Sequence, residues 1–264
     1  MFSYIDGTFF KSLCDVYLDK NILDYRNPQK EVILYADTHD YKKALSLINY
    51  QSDRNFTLVT HNSDDRIDKT DMPPNLDMWY GLNINFEHPK LQPIPIGLEN
   101  EYWHPNKRRL MQLANSTVNP QKRKIKALCQ FNQSTFKEER TSILFDVINE
   151  KIFADQYYCL NGENFKEYTY NLNTYAFCLC PRGNGIDTHR LWECLYSGCI
   201  PIIKDHITHR FDLDLPVVIV DDWKQVTQNF LEQIYLEFPF CLFNSDLLKQ
   251  EYWKEKITYE KDKN

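Results

Sequence analysis

The sequence predicts an α/β protein with parallel strands, arranged in two parts. Short apolar runs of strand length alternate with longer amphipathic stretches, which is the pattern of βαβ units and therefore of parallel sheets. A polar, basic stretch at residues 104–126 separates two such series and is predicted to be a linker. The 264 residues, 42% of them hydrophobic, are enough to bury the cores of two small domains. We predict a first domain at residues 1–110, a second at 120–245, and a C-terminal segment at 246–264.

The first domain contains two strand-like runs that end in polar loops. Residues 31–36 (EVILYA) and 56–60 (FTLVT) are apolar and β-branched, and a helical pattern at residues 41–50 lies between them. The exits are residues 37–40 (DTHD) and 61–65 (HNSDD). Because the carboxyl ends of parallel strands meet at one sheet edge, these loops suit one wall of a catalytic cleft. Further on, residues 78–84 are a third run, and residues 91–96 are predicted as an edge strand because they contain two prolines.

The second domain opens with a similar unit. Residues 125–131 are predicted as a strand, residues 132–135 as its polar exit, and the next segment as a helix that carries Arg140. The same patterns predict strands at residues 157–160 and 215–220, and helices at residues 165–173, 223–238 and 249–264. The alternation of strand and helix again predicts a parallel sheet.

The most informative stretch lies at residues 175–203. An apolar run at residues 175–180 ends in the loop PRGNG, and a helical pattern opens at Asp187 or Thr188, either of which can cap the first turn. Gly198 stands where a left-handed helix stop is expected, and a strand at residues 199–203 follows at once. This order is that of a βαβ unit whose loop lies at the carboxyl edge, where open α/β sheets bind ligands.

Charged side chains surround that loop. Arg182 lies in it, and the free N–H groups of the following helix point the same way, which suits a phosphate or a diphosphate. Arg190 and Glu193 are three residues apart on one helix face, and His189 lies on the same side, so the face can offer a cation for phosphate and a carboxylate for sugar hydroxyls. Equally, Arg190 and Glu193 can pair on a solvated helix, worth a few tenths of a kcal/mol.

The block FCLCPRGNGIDTHRLWECLYSGCIPII, residues 177–203, resembles the signature of the exostosin glycosyltransferase family. The resemblance covers about residues 175–223 and includes a later Leu-Pro and Asp-Trp. It implies two Rossmann-like domains that face each other across a cleft (the GT-B architecture), a nucleotide-sugar donor and inversion at the anomeric carbon. In that architecture the C-terminal helix often crosses back to the first domain. A weaker similarity to α1,3-fucosyltransferases leaves the identity of the donor open.

The positions of the loop and the helix, together with the resemblance, indicate which residues bind the donor. Arg182 and Arg190 are expected on the diphosphate, with Glu193 on the ribose hydroxyls. Arg140 is expected near a donor phosphate, although it can equally be a surface arginine of an amphipathic helix. These cations and the helix N-terminus can offset the leaving-group charge, so no metal or other cofactor is expected. The full set of expected donor-binding residues is Arg182, Gly183, Asn184, Asp187, Thr188, His189, Arg190, Glu193, Asn132 and Arg140.

Inversion requires one general base opposite the leaving nucleotide, and three loops of the first domain qualify. They are residues 37–40, 61–65 and 99–101. We choose Asp64, with His61 beside it, because its loop follows the most clearly buried strand, where burial and like charges can raise the pKa of a carboxylate. Glu99 is the rival. Alternatively, Asn62-Ser63-Asp64 is an ordinary Asx turn.

Several function classes remain, and others are excluded. The favoured reaction moves a sugar from UDP-xylose, UDP-glucuronate or UDP-galactose to a glycan hydroxyl; the runner-up donor is GDP-fucose, and a catalytically silent binding module stays open. The net charge of −6 argues against a nucleic-acid partner. An epimerase would need an N-terminal G-x-x-G-x-x-G, which the sequence lacks. The D-x-D at residues 212–214 lies downstream of the helix block and is interpreted as a strand-capping loop rather than a metal site.

Aromatic residues offer a possible binding surface for the acceptor sugar, and the sequons help to predict the cellular compartment. Trp79, Tyr80, Tyr102 and Trp103 are either a stacking surface for an acceptor sugar or core residues. No apolar run has the length of a membrane span, and the first residues lack the basic region of a signal peptide. Four of the eight cysteines fall in predicted buried elements, namely Cys178, Cys180, Cys194 and Cys199. Sequons occur at Asn55, Asn115 and Asn132, and a glycan on Asn132 would block the donor pocket. The sequence therefore predicts a soluble, cytoplasmic enzyme, of a bacterial or viral type rather than a Golgi type.

Overall fold

The computed structural model describes residues 4–18, 31–117, 122–157 and 165–258. It contains two five-stranded sheets, each flanked by helices. The strands are β1 (Val16–Tyr17), β2 (Glu31–Asp37), β3 (Asn55–His61), β4 (Leu76–Gly81), β5 (Leu91–Pro93), β6 (Lys124–Cys129), β7 (Ala154–Gln156), β8 (Tyr175–Leu179), β9 (Ile200–Ile203) and β10 (Val218–Ile219). The helices are α1 (Gly7–Ser12), α2 (Tyr41–Tyr50), α3 (Lys107–Thr117), α4 (Lys137–Ile148), α5 (Phe165–Thr174), α6 (His189–Ser197), α7 (Gln228–Glu237) and α8 (Gln250–Thr258).

The first sheet is parallel throughout and has the order β1-β2-β3-β4-β5. Its central strands β2 and β3 are buried along almost their whole length, as expected for parallel strands that are covered on both faces. They pair in register, so Asp37 lies beside His61 at the carboxyl edge. The two exit loops predicted from the sequence therefore meet. Strand β5 lies at the edge of the sheet, as its prolines predict.

The second sheet is also parallel and has the order β10-β9-β8-β6-β7. Counted from its first strand, this is the doubly wound order 2-1-3-4-5, in which the connections leave in opposite directions after the first and third strands. The crevice at such a switch point binds the ligand. Here it lies between β6 and β8, so the loops that carry Asn132 and Arg182 form its two sides. The predicted fold class, α/β with two Rossmann-like domains, is confirmed.

The predicted linker at residues 104–126 is wrong in one respect, because helix α3 occupies residues 107–117 of it. The many basic residues conceal an amphipathic pattern in which Met111 is fully buried and the helix packs against α5. The long helix predicted at residues 223–238 is also interrupted. A single 3₁₀ turn, Trp223–Gln225, is closed by an Asp222 capping box, and α7 begins only after Thr227, whose hydroxyl accepts from the Phe230 N–H.

Two smaller differences and one agreement concern the ends of elements. Strand β7 lies just before the predicted strand at residues 157–160, of which only Tyr157 lies within the described residues. Thr188 is the N-cap of α6, but neither it nor Asp187 caps the helix through a side chain, because the Asp187 carboxylate is used elsewhere. Gly198 ends the helix with a φ of 67°, as predicted.

The C-terminal helix α8 packs against the first domain. The side chain of Gln250 donates to the Tyr4 carbonyl at 2.6 Å, and the Tyr80 hydroxyl donates to the Lys256 carbonyl at 3.0 Å. Trp253 is fully buried, with its ring edge-on to Phe10. The loop at residues 212–214 is bound to the same helix, because the Asp212 carboxylate accepts hydrogen bonds from the Tyr252 hydroxyl and the Lys256 ammonium. Among the described residues, no helix combines the length and the apolar character needed to span a membrane.

Candidate active site

A cavity of about 570 Å³ lies where the first domain meets α6. All three loops proposed from the sequence for the base contribute a carboxylate to it, namely Asp37, Asp64 and Glu99. His61 and His189 also line it, the second from the start of α6. The cavity therefore brings the candidate base loops and the start of the predicted donor helix to the same place.

The loop before α6 is fixed to the first domain by side chains on both sides. The Asn83 side-chain oxygen accepts from the N–H groups of Ile186 and Asp187, at 3.1 and 2.9 Å. The Asp187 carboxylate accepts from the Ile96 N–H and from the Trp192 indole, each at 2.8 Å. Both Asp187 oxygens are thus hydrogen-bonded within the protein, which is a structural use that the sequence prediction of donor binding did not include.

Arg140 is not the surface arginine of an amphipathic helix, because its side chain is buried between two loops. It is buried, and its guanidinium donates to the carbonyls of Asn132, Pro181 and Arg182, at 2.6, 3.2 and 2.9 Å. It also donates to the Thr135 hydroxyl. The side chain therefore holds the two loops of the switch point together, and its contact with a donor phosphate stays a prediction.

Arg182, in one of these loops, and Arg190, in the first turn of α6, have buried side-chain nitrogens without a hydrogen-bond partner among the residues that the structure describes. The Arg182 guanidinium lies 4.2 Å from the centre of the Phe136 ring, and that of Arg190 lies 4.9 Å from the Tyr168 ring. Among the described residues, no group hydrogen-bonds the buried Nε of either arginine or the Nη1 of Arg190. A buried charged donor without a partner costs free energy. An anion at this crevice would remove that cost.

The other predicted donor-binding residues lie in the two loops of the crevice or at the start of α6, where most of them make local hydrogen bonds or turns. The Gly183 N–H donates to the Gly185 carbonyl at 3.0 Å, which folds the loop back on itself, and Asn184 is exposed at its tip. On the facing loop, the Asn132 side chain accepts from the Ser134 N–H at 2.9 Å in an Asx turn. Thr188 stands at the N-cap of α6.

Glu193 is buried and pairs with Lys107 of α3 rather than with Arg190 on a solvated face. The surface-pair interpretation is therefore wrong. The Lys107 ammonium is also 3.2 Å from Glu99, which in turn is 3.3 Å from His104. Burial opposes ionisation of Glu193, but the Lys107 charge outweighs it and lowers the pKa of Glu193. Sequence analysis missed Lys107 because it assigned this basic segment to a linker.

Asp64 faces the donor loop directly. Its carboxylate accepts from the Asn184 side chain at 3.4 Å, which joins the first domain to the tip of that loop. The prediction that Asp64 is buried is wrong, because its side chain is exposed. The turn here is made by Ser63, whose hydroxyl accepts from the Asp65 N–H at 3.1 Å, rather than by an Asx side chain. The Asp64 carboxylate therefore points across the cleft.

The profile of the exostosin GT47 domain matches residues 91–231, more than half of the chain. The chain belongs to the exostosin GT47 family. This confirms the family predicted from the signature block, and with it a glycosyltransferase family of GT-B fold. The match includes β5, α3 and the whole crevice of the second sheet. Of the three base loops, only the one with Glu99 lies within it.

One relative of this exostosin GT47 protein is the probable glycosyltransferase At3g07620 of Arabidopsis thaliana. The two are 24% identical over 80 residues. The match covers 26% of this chain and 17% of the relative. The chain therefore corresponds to a small part of that protein's length.

The aromatic residues of this exostosin GT47 protein divide into two groups. Trp79 and Tyr80 are 0% and 3% exposed and belong to the core. Tyr102 and Trp103 are 66% and 67% exposed, lie side by side with ring centres 5.5 Å apart, and line the cavity. Only the second pair is placed to stack on a bound sugar.

His189 and Gly97 join the two domains at the cavity wall. The His189 Nδ1 hydrogen-bonds the Gly97 carbonyl at 2.8 Å, which leaves Nε2 as the nitrogen available to a ligand. Burial and the nearby Lys107 charge lower the pKa of His189, so the ring is neutral. Gly97 has a φ of 66°, and a Cβ there would lie 2.2 Å from the Ile5 carbonyl oxygen. The glycine is thus required by both conformation and space.

His61 supports the cavity floor. Its Nε2–H donates to the Pro95 carbonyl at 3.0 Å, its Nδ1 accepts from the Asn62 N–H at 2.8 Å, and its ring stacks on Phe10. Both nitrogens are therefore occupied, so the ring positions Asn62 and is not free to act as a base.

We expect His61 to make the protein sensitive to acid. Burial lowers the pKa of His61 to about 4, so between pH 6.5 and 4 the unfolded chain binds a proton that the folded chain does not. Its contribution to stability is complete above about pH 6.5 and is lost as the pH falls. At pH 5 the loss is about 2 kcal/mol.

Denaturant unfolding at pH 7.5 and pH 5 measures this effect. His61→Gln keeps an amide donor for the Pro95 carbonyl and should reduce the difference in unfolding free energy by that amount. The control is His39→Gln, at an exposed histidine. Equal pH dependence in the parent and His61→Gln would contradict the assignment.

Proposed function

We propose that this exostosin GT47 protein is an inverting glycosyltransferase that moves a sugar from a nucleoside-diphosphate donor to a hydroxyl of a glycan. The observation that carries the proposal is the pair Arg182 and Arg190 at the switch point of the second sheet, where the Nε of each and the Nη1 of Arg190 are buried without a hydrogen-bond partner in the described part of the chain. A diphosphate matches them in charge and in hydrogen-bonding capacity. The N-terminus of α6 adds main-chain N–H groups at the same place.

The proposed reaction uses carboxylates of the first domain on one side of the cleft and cations of the second domain on the other. A carboxylate of the first domain takes the proton from the acceptor hydroxyl, whose oxygen then attacks the anomeric carbon. The bond to the diphosphate breaks on the opposite face, and the developing charge is offset by Arg182, Arg190 and the α6 N-terminus. Asp64 is the base in this proposal, because it contacts the donor loop and, among the described residues, has no ion-pair partner such as the two cations that hold Glu99.

The acceptor occupies the cavity on the first-domain side. Tyr102 and Trp103 present exposed rings at its wall, which suits the apolar face of a pyranose. Asn100 lies beside them and donates to Asn62 and Tyr102, so the polar and aromatic parts of the wall are held together. A glycan hydroxyl bound here lies on the same side of the cleft as Asp64.

The favoured donors are UDP-sugars, namely UDP-xylose, UDP-glucuronate and UDP-galactose, with GDP-fucose as the second choice. No metal or other cofactor is included in the proposal, since the arginines and the helix N-terminus supply positive charge. We place the protein in the cytoplasm. Support comes from Cys14, Cys129, Cys178, Cys180, Cys194 and Cys199, which are free and buried. The sequon residue Asn115 also donates its side-chain amide to the Tyr196 carbonyl, a bond that a glycan would break.

Arg182→Ala tests the donor site. Loss of a charged hydrogen bond costs about 1.5–3 kcal/mol, so UDP-sugar affinity should fall at least about tenfold. Titration calorimetry with UDP, GDP and their sugar compounds measures this and also identifies the nucleotide. Arg210→Ala is the matched control, because Arg210 is exposed and pairs with Asp205 and Glu87. If the parent and Arg182→Ala bind these nucleotides with equal affinity, the assignment of the donor site is wrong. Binding of GDP compounds without binding of UDP compounds would favour a GDP-fucose-dependent fucosyltransferase.

A further inference from the structure

The core of the second domain contains a group of thiols that the proposed reaction does not use. Cys178, Cys180 and Cys194 have sulfur atoms that all lie within 4.8 Å of one another. Their exposures are 0%, 5% and 0%. Two of them come from β8 and its exit, and the third comes from α6, so the group joins the strand and the helix on either side of the donor loop.

The spacing of these sulfurs is close to that of a metal-thiolate site. Cys180 Sγ and Cys194 Sγ are 3.7 Å apart. With metal–sulfur bonds of about 2.3 Å, two sulfurs on one metal lie about 3.8–4.0 Å apart, so small rotations of the side chains are enough to close the site. Sequence spacing concealed this arrangement, because Cys178 and Cys180 alone give poor tetrahedral geometry and Cys194 joins them only in the fold.

The surroundings favour a soft cation. Three thiolates exceed the charge of one Zn²⁺ or Cu⁺, and the side chain of Arg190 is placed to offset the excess. Arg190 lies one helical turn before Cys194 on α6. Thiolate sulfur selects Zn²⁺ and Cu⁺ among common metals. A fourth thiol, Cys199, is fully buried beside this group, since its backbone N–H donates to the Cys194 carbonyl at 2.9 Å, and a movement of its side chain would complete a four-sulfur set.

We propose that Cys178, Cys180 and Cys194 bind a thiophilic d¹⁰ cation, Zn²⁺ or Cu⁺, as a structural metal of the second domain. The metal would fasten β8 to α6 and so hold the donor loop between them, apart from the glycosyl-transfer step. Zinc prefers four ligands and would recruit Cys199, whereas Cu⁺ is satisfied by three. The role of Cys199 therefore distinguishes the two metals.

The test measures bound metal on tag-free protein. Full-length protein is unfolded with chelator and reductant, refolded with Zn²⁺ or Cu⁺, passed through gel filtration and analysed by atomic emission. The parent should retain about one equivalent of one metal and gain thermal stability from it. Co²⁺ refolding should give a sulfur-to-metal charge-transfer band if the site accepts zinc.

Substitutions then locate the site. Cys194→Ala and Cys180→Ala should lose the bound metal, while Cys129→Ala should keep it, because Cys129 is equally buried in a different core cluster. Cys199→Ala should lose zinc but keep Cu⁺. Circular dichroism identifies any variant that fails to fold. The metal content of the refolded parent tests the proposal even if every variant fails to fold. Less than about a tenth of an equivalent of either metal in the refolded parent, or full retention in folded Cys194→Ala, would overturn the proposal.

Discussion

Asp64→Asn should lower the turnover of glycosyl transfer by at least about 10²-fold, which is the usual contribution of a general base. Asparagine keeps the size of the side chain but cannot take a proton. The contact with Asn184 is a hydrogen bond that the asparagine oxygen can still accept, so the donor loop should keep its position. Nucleotide-sugar affinity should therefore stay at the parental level. Steady-state rates and titration calorimetry on the same preparation separate the two effects.

The neighbouring carboxylates provide the controls. Asp65→Asn changes an exposed carboxylate on the same loop and should leave turnover within about twofold, since Asp65 does not line the cavity. A normal rate for Asp64→Asn together with a large loss for Glu99→Gln would move the base to the loop before α3. If no carboxylate variant changes a measurable activity, or if no activity exists, the silent binding module becomes the better description.

Lys107→Met should lower the free energy of unfolding by about 3 kcal/mol or more, because it removes one partner of a buried ion pair. Lys107 and Glu193 are 8% and 4% exposed, and the same ammonium also contacts Glu99. Without it, the buried Glu193 carboxylate loses its ion-pair partner and has little solvent to stabilise its charge. Denaturant-induced unfolding at pH 7.5 measures the change.

A second substitution distinguishes the lost pair from lost packing. Glu193→Gln in the Lys107→Met background removes the unpaired buried charge and should restore a large part of the stability. The control Lys249→Met breaks an exposed pair with Asp246 and should cost less than about 1 kcal/mol. A loss in Lys107→Met that Glu193→Gln does not reduce would show that methionine packs poorly and that the pair contributes little.

The sequence predicted the frame of this fold well because buried parallel strands are continuous apolar runs. Strand β3 is one residue longer at each end than the run FTLVT, and helix α2 has the predicted bounds. The meeting of the exit loops also followed from general rules, since all strands of a parallel sheet end at one edge. The family could be named from one block because a glycine-bearing loop, an arginine and a glutamate stand there at fixed spacing.

The contacts within the site could not be predicted in the same way. Glu193 pairs with a lysine 86 residues earlier, and Arg140 binds carbonyls of a loop more than 40 residues later. The hydrophobic periodicity of a helix or strand carries no information about partners so distant in the sequence. Asn83 lies inside the run predicted at residues 78–84, where no local pattern marks it, yet its side chain accepts from two N–H groups of the donor loop. Local pattern locates the loops, whereas the side chains that fix them depend on tertiary packing.

The hydrogen bonds of Asn83 and Asp187 across the domain boundary have a consequence for the kinetics of the cycle. A rotation of one domain away from the other would break the bonds to Ile186, Asp187 and Ile96 together. The binding crevice is therefore preorganised, and a donor need not supply free energy to close it. For the proposed reaction we therefore expect product release to depend on side chains at the cavity mouth, such as Tyr102 and Trp103, rather than on a hinge between domains.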